Sequence, residues 1–273
     1  MSTVAIVARA TAAPTAAPSA ETLAAWIEQF HRDGYLLVRG VLDREHIDAL
    51  KTDLDRALEM KRPMDGCFDW GDICHRLFEV SGANRRLFDL EPIVSFAEAI
   101  VAADCHVIHN NSFRTRPGQK GISSWHQDDA PHFLVTHGEV PTNIRLPVLF
   151  FTANFYLTDV DAPTNGSMEL VPGSHMNGVP CPADLRGTKW EKDIIPVIAK
   201  AGDVVLFNNQ LWHRGRTNES ERTRYITQLT YARRMIGHKY HPFMNYVMPE
   251  HVHAGANPRL KRLLGFLPHG AYG

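Results

Sequence analysis

Trp125-His126-Gln127-Asp128 and, eighty-seven residues after its histidine, Leu211-Trp212-His213 are the segments that decide this chain. In an extended backbone, residues two apart point to the same face. His126 and Asp128 then offer a nitrogen and an oxygen to one metal ion, with Gln127 turned away. A further histidine from a distant strand, His213, completes a set of two histidines and one carboxylate. Such a set leaves three coordination positions open and is diagnostic of non-haem Fe(II) oxygenases. His-x-Asp alone is weak evidence in a chain with 15 histidines. The surroundings of the second histidine give it weight.

Those surroundings are Ala201-Gly202-Asp203-Val204-Val205-Leu206-Phe207, then His213, Asn218 and Arg224. Gly202 and Asp203 form a turn that leads into an apolar run, read as a buried strand, with His213 just past its end. Arg224 opens Arg224-Tyr225-Ile226-Thr227-Gln228-Leu229-Thr230-Tyr231, whose β-branched and aromatic residues predict the next strand. A guanidinium there can grip a carboxylate in bidentate fashion. 2-Oxoglutarate needs both features: a metal to chelate its keto-acid end and a fixed cation for its other end.

With these residues the chain resembles the phytanoyl-CoA dioxygenase family of Fe(II)/2-oxoglutarate oxygenases. The matching pieces are His126-Gln127-Asp128, Asn165-Gly166-Ser167-Met168-Glu169-Leu170-Val171-Pro172-Gly173-Ser174-His175, the strand at 201–207, His213, Asn218, Ser220 and Arg224. They cover roughly residues 21 to 235. The resemblance implies His126, Asp128 and His213 as catalytic iron ligands and Arg224 as partner of the distal carboxylate. It implies Fe(II), 2-oxoglutarate and O2 as cofactors, with release of succinate and CO2. Many members carry a hydroxyl residue two positions after the distal histidine to assist the arginine; here Gly215 stands there, and Thr217 or a tyrosine is the expected substitute. Related halogenases have a small residue at the carboxylate position. Asp128 therefore implies hydroxylation of an unactivated C–H bond, or desaturation or cyclisation through the same radical.

Composition agrees with an enzyme of one large domain. The chain has 273 residues, 44% of them hydrophobic, and a formal charge of −1. That charge gives no footprint for nucleic acid or an anionic membrane. No apolar run approaches the roughly 20 residues that span a bilayer. Cys67, Cys74, Cys105 and Cys181 lack Cys-x-x-Cys spacing and read as reduced thiols of a cytoplasmic protein. Monomer and homodimer both remain open.

Residues 1–20 are rich in Ala, Thr and Pro and are expected to be disordered, leaving 21–273 as a single dioxygenase domain. Helical spacing begins near Glu21, a strand is expected at 34–38, and Asp43 is a plausible N-cap for a helix from Arg44 to about Met60. A further helix is expected at about 92–103. From about Cys105 onward, short apolar or alternating runs are separated by Pro, Gly and Asn turns, at 105–113, 147–157, 168–171, 194–198, 204–207 and 225–231. Many short strands of this kind predict a mainly β fold with flanking helices. A double-stranded β-helix, the jelly-roll or cupin-like barrel, fits the count, and the resemblance implies the same fold.

Other residues have both a functional and an ordinary reading. Asp129 faces away from Asp128 on a strand. His132 and His137 follow the motif on a loop, and His175 matches a turn. Asn110 and Arg114 share a strand face, as do Thr152 and Asn154, while Gln228 shares a face with Arg224. Polar residues in a β-rich stretch are either solvated or line a pocket, and a barrel interior holding 2-oxoglutarate suits all five. The arginines Arg114, Arg116, Arg145, Arg216, Arg222, Arg233 and Arg234 fit an anionic small-molecule substrate or plain surface solvation. A free amino acid or natural-product intermediate is the first expectation and an acyl-CoA thioester the second. A cupin-like non-oxygenase metal enzyme would share the ligands without needing Arg224.

Overall fold

A computed structural model describes residues 16–60, 72–240 and 243–267. In chain order the elements are α1 (Ala20–Asp33), β1 (Tyr35–Val38), α2 (Arg44–Glu59), β2 (Ile73–His75), α3 (Gly82–Arg85), α4 (Ile93–Ile100), β3 (His106–Thr115), β4 (Phe150–Tyr156), β5 (Met168–Leu170), β6 (Ile195–Pro196), β7 (Val204–Asn208), β8 (His213–Gly215), β9 (Arg224–Ala232), α5 (Glu250–His253) and α6 (Pro258–Leu263). Six strands form one sheet in the order β1-β7-β4-β9-β3-β2, and three form a second in the order β6-β5-β8. Every pairing is antiparallel. The protein is a double-stranded β-helix with helices outside.

The helices start where side chains can accept the orphan N–H groups of a first turn. Ser19 accepts from Thr22 N at 3.1 Å and begins α1 at Ala20; Asp43 accepts from His46 N at 2.8 Å and begins α2. Ala20, the last residue of the segment expected to be disordered, belongs to α1, and Ser19 caps it; residues 1–15 lie outside the described residues.

Alternation divides each central strand of the large sheet between two cores. Phe151, Ala153 and Phe155 of β4, Val204 and Leu206 of β7, and Leu229 and Tyr231 of β9 pack under the helices. There Phe30 and Phe96 meet Phe151 edge-on, with ring centroids 5.8 and 5.4 Å away. The opposite face carries Tyr156, Val205, Phe207 and Ile226, which meet Met168 and Leu170 of the small sheet. The short helices α3, α5 and α6 escaped the sequence reading, as did two strands. β2 is only three residues long, and His213 opens its own strand, β8, rather than trailing β7.

Gly202 holds the β1–β7 corner. Its carbonyl accepts from Val41 N at 2.8 Å and Leu42 N at 3.0 Å, while the buried Asp203 carboxylate accepts from Gly40 N at 3.0 Å and Lys200 N at 2.7 Å. At φ +95°, a Cβ on residue 202 would lie 2.6 Å from the Leu42 carbonyl oxygen. Backbone cannot yield there as a side chain would. Gly202→Ala is expected to destabilise the fold by about 2–4 kcal/mol, read from the urea midpoint at unchanged m-value.

Candidate functional site

The inner face of the large sheet and the small sheet enclose a cavity of ≈ 680 Å³, lined by residues that include His126, His213 and Arg224. Residues 126 and 213 exchange backbone hydrogen bonds, His126 N to His213 O at 3.0 Å and His213 N to His126 O at 2.9 Å. This lone antiparallel bridge is all the β structure around His126, which was expected on a longer strand. It brings the imidazole centroids to 4.2 Å.

Each imidazole is oriented by a carbonyl. His126 Nδ1 donates to Ser124 O at 2.9 Å, and His213 Nδ1 donates to Leu211 O at 2.8 Å. A carbonyl only accepts, so the proton sits on Nδ1 in both rings and the Nε2 lone pairs are left free. Both Nε2 atoms lie 3.9 Å from Asp128 Oδ1, and the three donor atoms fall within 4.8 Å of one another. Burial lowers the pKa of His213, which favours the neutral, ligating form. Two neutral nitrogens and one carboxylate oxygen so close together can share one ion, and the donor set suits iron. It is the one such group among the described residues.

Gln210 organises the surroundings and carried no signal in the sequence beyond its place before His213. Its amide donates to Asp128 O at 3.1 Å, and its carbonyl accepts from Gln127 Nε2 at 2.9 Å and His132 N at 2.8 Å. Asp128 N donates to Asn209 O at 2.7 Å. Gln127 is turned from the cluster and also accepts from Cys181 N at 2.9 Å. Asp129, at φ +62°, pairs with Lys239 at 2.7 Å instead.

Arg224 is buried at the start of β9 and has no carboxylate partner among the described residues. Its Nη1 donates to Gly166 O and its Nη2 to Thr115 Oγ1 at 3.3 Å, while Nε has no partner. Burial lowers its pKa, and the neighbouring Tyr156, whose hydroxyl also lacks a partner, is pushed up to about 12. A buried cation with an unused donor calls for an anion. The hydroxyl expected from Thr217 or a tyrosine comes from Thr115 on the opposing strand, with Tyr156 beside the guanidinium as well. Gly166 permits this packing, since a Cβ there would meet Asn218 Cβ at 3.3 Å at φ +71°. Asn218 in turn donates to Thr115 O at 2.9 Å and Arg222 O at 2.7 Å, fixing both strands beside the guanidinium.

Of the other candidates, Asn154 and Gln228 line the cavity, joined by Gln228 Nε2 to Asn154 Oδ1 at 2.9 Å. Thr152 shares their face but is tied to Thr230 Oγ1 at 3.0 Å, away from the cavity lining. Asn110 is a correction. It faces the helices, accepting from Phe78 N at 3.2 Å and donating to Asn84 Oδ1 at 3.0 Å. Arg114 borders the cavity, with its guanidinium engaged by Asp72 at 2.8 Å and by Asp55. A polar network buried under α3 looks in sequence like a pocket lining. The opposite parity of β3 reaches the cavity, with Asn111, Phe113 and Thr115, and β2 adds His75.

The arginines that suggested an anionic substrate are largely ion-paired: Arg116 with Asp72, Arg145 with Glu28, Arg216 with Glu169, Arg222 with Asp161 and Arg234 with Asp104. His137 is exposed. His175 is structural, its Nε2 donating to His31 O at 3.1 Å. Burial lowers the pKa of His175 and of His109 to about 4. An unfolded histidine titrates near 6.5, so both groups leave stability intact above that pH and erode it as pH falls toward 4. Urea titrations should show unfolding free energy dropping by roughly 2–4 kcal/mol between pH 7 and pH 5. A level profile across that window would contradict buried neutral histidines.

Metal donors and an unpaired cation opening on one cavity meet the two demands of a chelating keto acid that carries a second carboxylate. The chain is thereby an iron- and 2-oxoglutarate-dependent dioxygenase in class, with O2 as the third cofactor. A family-wide sequence profile described as phytanoyl-CoA dioxygenase (PhyH) matches residues 30–226, and the chain belongs to that family. It is similar to an ectoine dioxygenase of Nocardia farcinica, 26% identical over 226 residues, spanning 70% of this chain and 72% of the relative. Dioxygenase lolE1 of Epichloe uncinata is 37% identical over 169 residues, 59% of each chain. Among solved structures, HygX from Streptomyces hygroscopicus with nickel and 2-oxoglutarate bound superposes with a TM-score of 0.60 at 20% identity, over 79% of this chain and 87% of that one. The epimerase SnoN in complex with Fe3+, alpha ketoglutarate and nogalamycin RO gives 0.61 at 20% identity, over 80% and 86%. At such identities the structural likeness concerns the fold.

Proposed function

We propose that the protein hydroxylates, or desaturates or cyclises, an unactivated C–H bond of a small molecule, with His126, Asp128 and His213 holding the iron and Arg224 the distal carboxylate of 2-oxoglutarate. The observation that carries this reading is the buried Arg224, whose Nε lacks a partner in the cavity that also opens on His126 and His213. The cofactors supply oxidative decarboxylation to succinate and CO2 and the oxidising power for the C–H bond.

The protein's own residues supply position. Ser124 O and Leu211 O keep both Nε2 lone pairs aimed at the ion, and Gln210 fixes the backbone that carries Asp128. Arg224, steadied by Gly166 and Thr115, sets the depth of the keto acid, and the apolar Phe113, Ile226 and Phe207 keep water from weakening that charge pair. Asp128 fills a ligand position that halogenases leave small, which favours hydrogen removal followed by hydroxylation or ring formation. A natural-product intermediate or free amino acid stands ahead of an acyl-CoA thioester. The likeness to HygX and SnoN, whose structures include hygromycin B and nogalamycin RO, supports the first of these. Cys105 and Cys181 are free thiols, in keeping with a cytoplasmic enzyme.

Anaerobic protein with Fe(II) and 2-oxoglutarate is expected to develop a weak charge-transfer absorption in the green; its absence would favour a cupin-like non-oxygenase. His213→Ala should abolish turnover and weaken Fe(II) binding sharply. Arg224→Ala should raise KM for 2-oxoglutarate by roughly tens to thousands of fold, the equivalent of about 2–5 kcal/mol, with Fe(II) affinity near normal. Arg222→Ala, at an exposed residue paired with Asp161, should change it little. The reverse ranking of these two variants would move the carboxylate site off Arg224.

A further inference from the structure

Cross-strand register aligns four polar side chains in one row across the inner face of the large sheet. His75 on β2 stands opposite Asn111 on β3, Asn111 opposite Gln228 on β9, and Gln228 opposite Asn154 on β4. All four line the cavity. They are hydrogen-bonded in two pairs, His75 Nδ1 with Asn111 Oδ1, and Gln228 Nε2 with Asn154 Oδ1 at 2.9 Å. This pairing leaves Asn111 Nδ2, Gln228 Oε1 and Asn154 Nδ2 without partners among the described residues: a donor, an acceptor and a donor on neighbouring strands.

No member of the row carries a charge at neutral pH, since burial lowers the pKa of His75. Among the described residues the lining holds no Asp or Glu apart from the metal-site Asp128 beside His126 and His213. Its cations are ion-paired, exposed to solvent or assigned to the cosubstrate, and Lys120 is the lining residue open to solvent. Arg114 is held by Asp55 and Asp72, and Arg214 by Glu169 at 2.7 Å and over the Trp125 ring at 4.8 Å. Arg224 is assigned above to 2-oxoglutarate.

We infer that this row is the substrate-recognition wall, and that it selects an uncharged polar molecule presenting adjacent hydrogen-bond donor and acceptor groups, as a carboxamide, lactam or cyclic dipeptide does. The inference rests on the proposed assignment of Arg224 to 2-oxoglutarate. A substrate carboxylate set against this row would lose hydration there, and the four side chains of the row offer it no counter-charge, a heavy cost. A neutral amide would satisfy the open donors and acceptor directly, and a wall of unsatisfied polar groups rejects ligands that cannot do so. Between the two expected substrate classes, the wall therefore favours a neutral natural-product intermediate over a free amino acid.

The test compares matched probes on the full chain with Fe(II) and 2-oxoglutarate under anaerobic conditions: N-acetylprolinamide against N-acetylproline, and cyclo(Gly-Pro) against linear Gly-Pro. Binding is read by saturation-transfer NMR and calorimetry up to about 10 mM, and 2-oxoglutarate binding is measured in the same samples. The neutral member of each pair should bind at least about tenfold more tightly. Asn111→Leu should erase most of that difference, and Asn111→Lys should shift the preference toward the acid. Equal or tighter binding of the acids overturns the inference, as does binding by neither member of any pair. Unchanged preferences in both Asn111 variants, with the folded state verified by circular dichroism, overturn it too. Failure of 2-oxoglutarate itself to bind instead overturns the function proposed above.

Discussion

The pair of backbone hydrogen bonds between residues 126 and 213 ties together everything the site needs. His126 belongs to an irregular segment after β3, and His213 belongs to the small sheet; no longer ladder joins them. With those two bonds, both imidazoles lie over the same point, and the Asp128 carboxylate follows from the path of three consecutive residues. Gln210 extends the constraint into the 129–147 segment through His132 N, and Trp212 N extends it into the Gly-Ser-His turn by donating to Ser174 Oγ at 2.8 Å. Such a small amount of β structure suffices because the flanking side chains are buried. Trp212 lies edge-on to Trp190 at 4.8 Å, and Phe207 meets the His213 ring at 4.9 Å.

Much of this was legible in the sequence, for identifiable reasons. Periodicity and turn chemistry located the helix capped by Asp43 and the strands around 105–113, 147–157, 204–207 and 225–231, because burial on one or both faces leaves a strong pattern. His126, Asp128, His213 and Arg224 stood out because their residue types and spacing match a chemistry. What stayed hidden was orientation across strands. On β3 both parities are polar: Asn110, Ser112 and Arg114 are satisfied by Asn84, Thr227 and acidic partners beneath the helices, while Asn111 and Thr115 face the cavity. Hydropathy cannot separate two polar faces, and only the register with β9 does. β2 was likewise invisible, since three residues cannot establish a period. The abundance of arginine misled for a related reason: a sequence records charges but not their pairing.

The helix-facing side of the large sheet and its cavity side make different demands on neighbouring residues. Leu229 and Tyr231 are fully buried in the aromatic and aliphatic core, and Tyr231 donates to Phe88 O at 2.9 Å. Arg224, Ile226 and Gln228, interleaved with Tyr225, Thr227 and Leu229, face the cavity instead. The packing side tolerates little change, because interiors are close to crystalline density. The cavity side is limited by hydrogen bonding and charge around its polar row and by packing where Tyr156, Phe207 and Ile226 meet the small sheet.

That interleaving has an evolutionary corollary. The polar cavity-lining residues of β3, β4 and β9, such as Asn111, Asn154 and Gln228, can be exchanged to suit a new ligand without altering the neighbours that hold the barrel together. A slip of one residue in β9 would be ruinous, because it would trade the whole chemical face for the whole packing face at once. Point substitution is therefore the open route to new specificity on this scaffold, and insertion within its central strands is closed. Lineages that share the metal donors and the fold can diverge in what they oxidise one alternate position at a time.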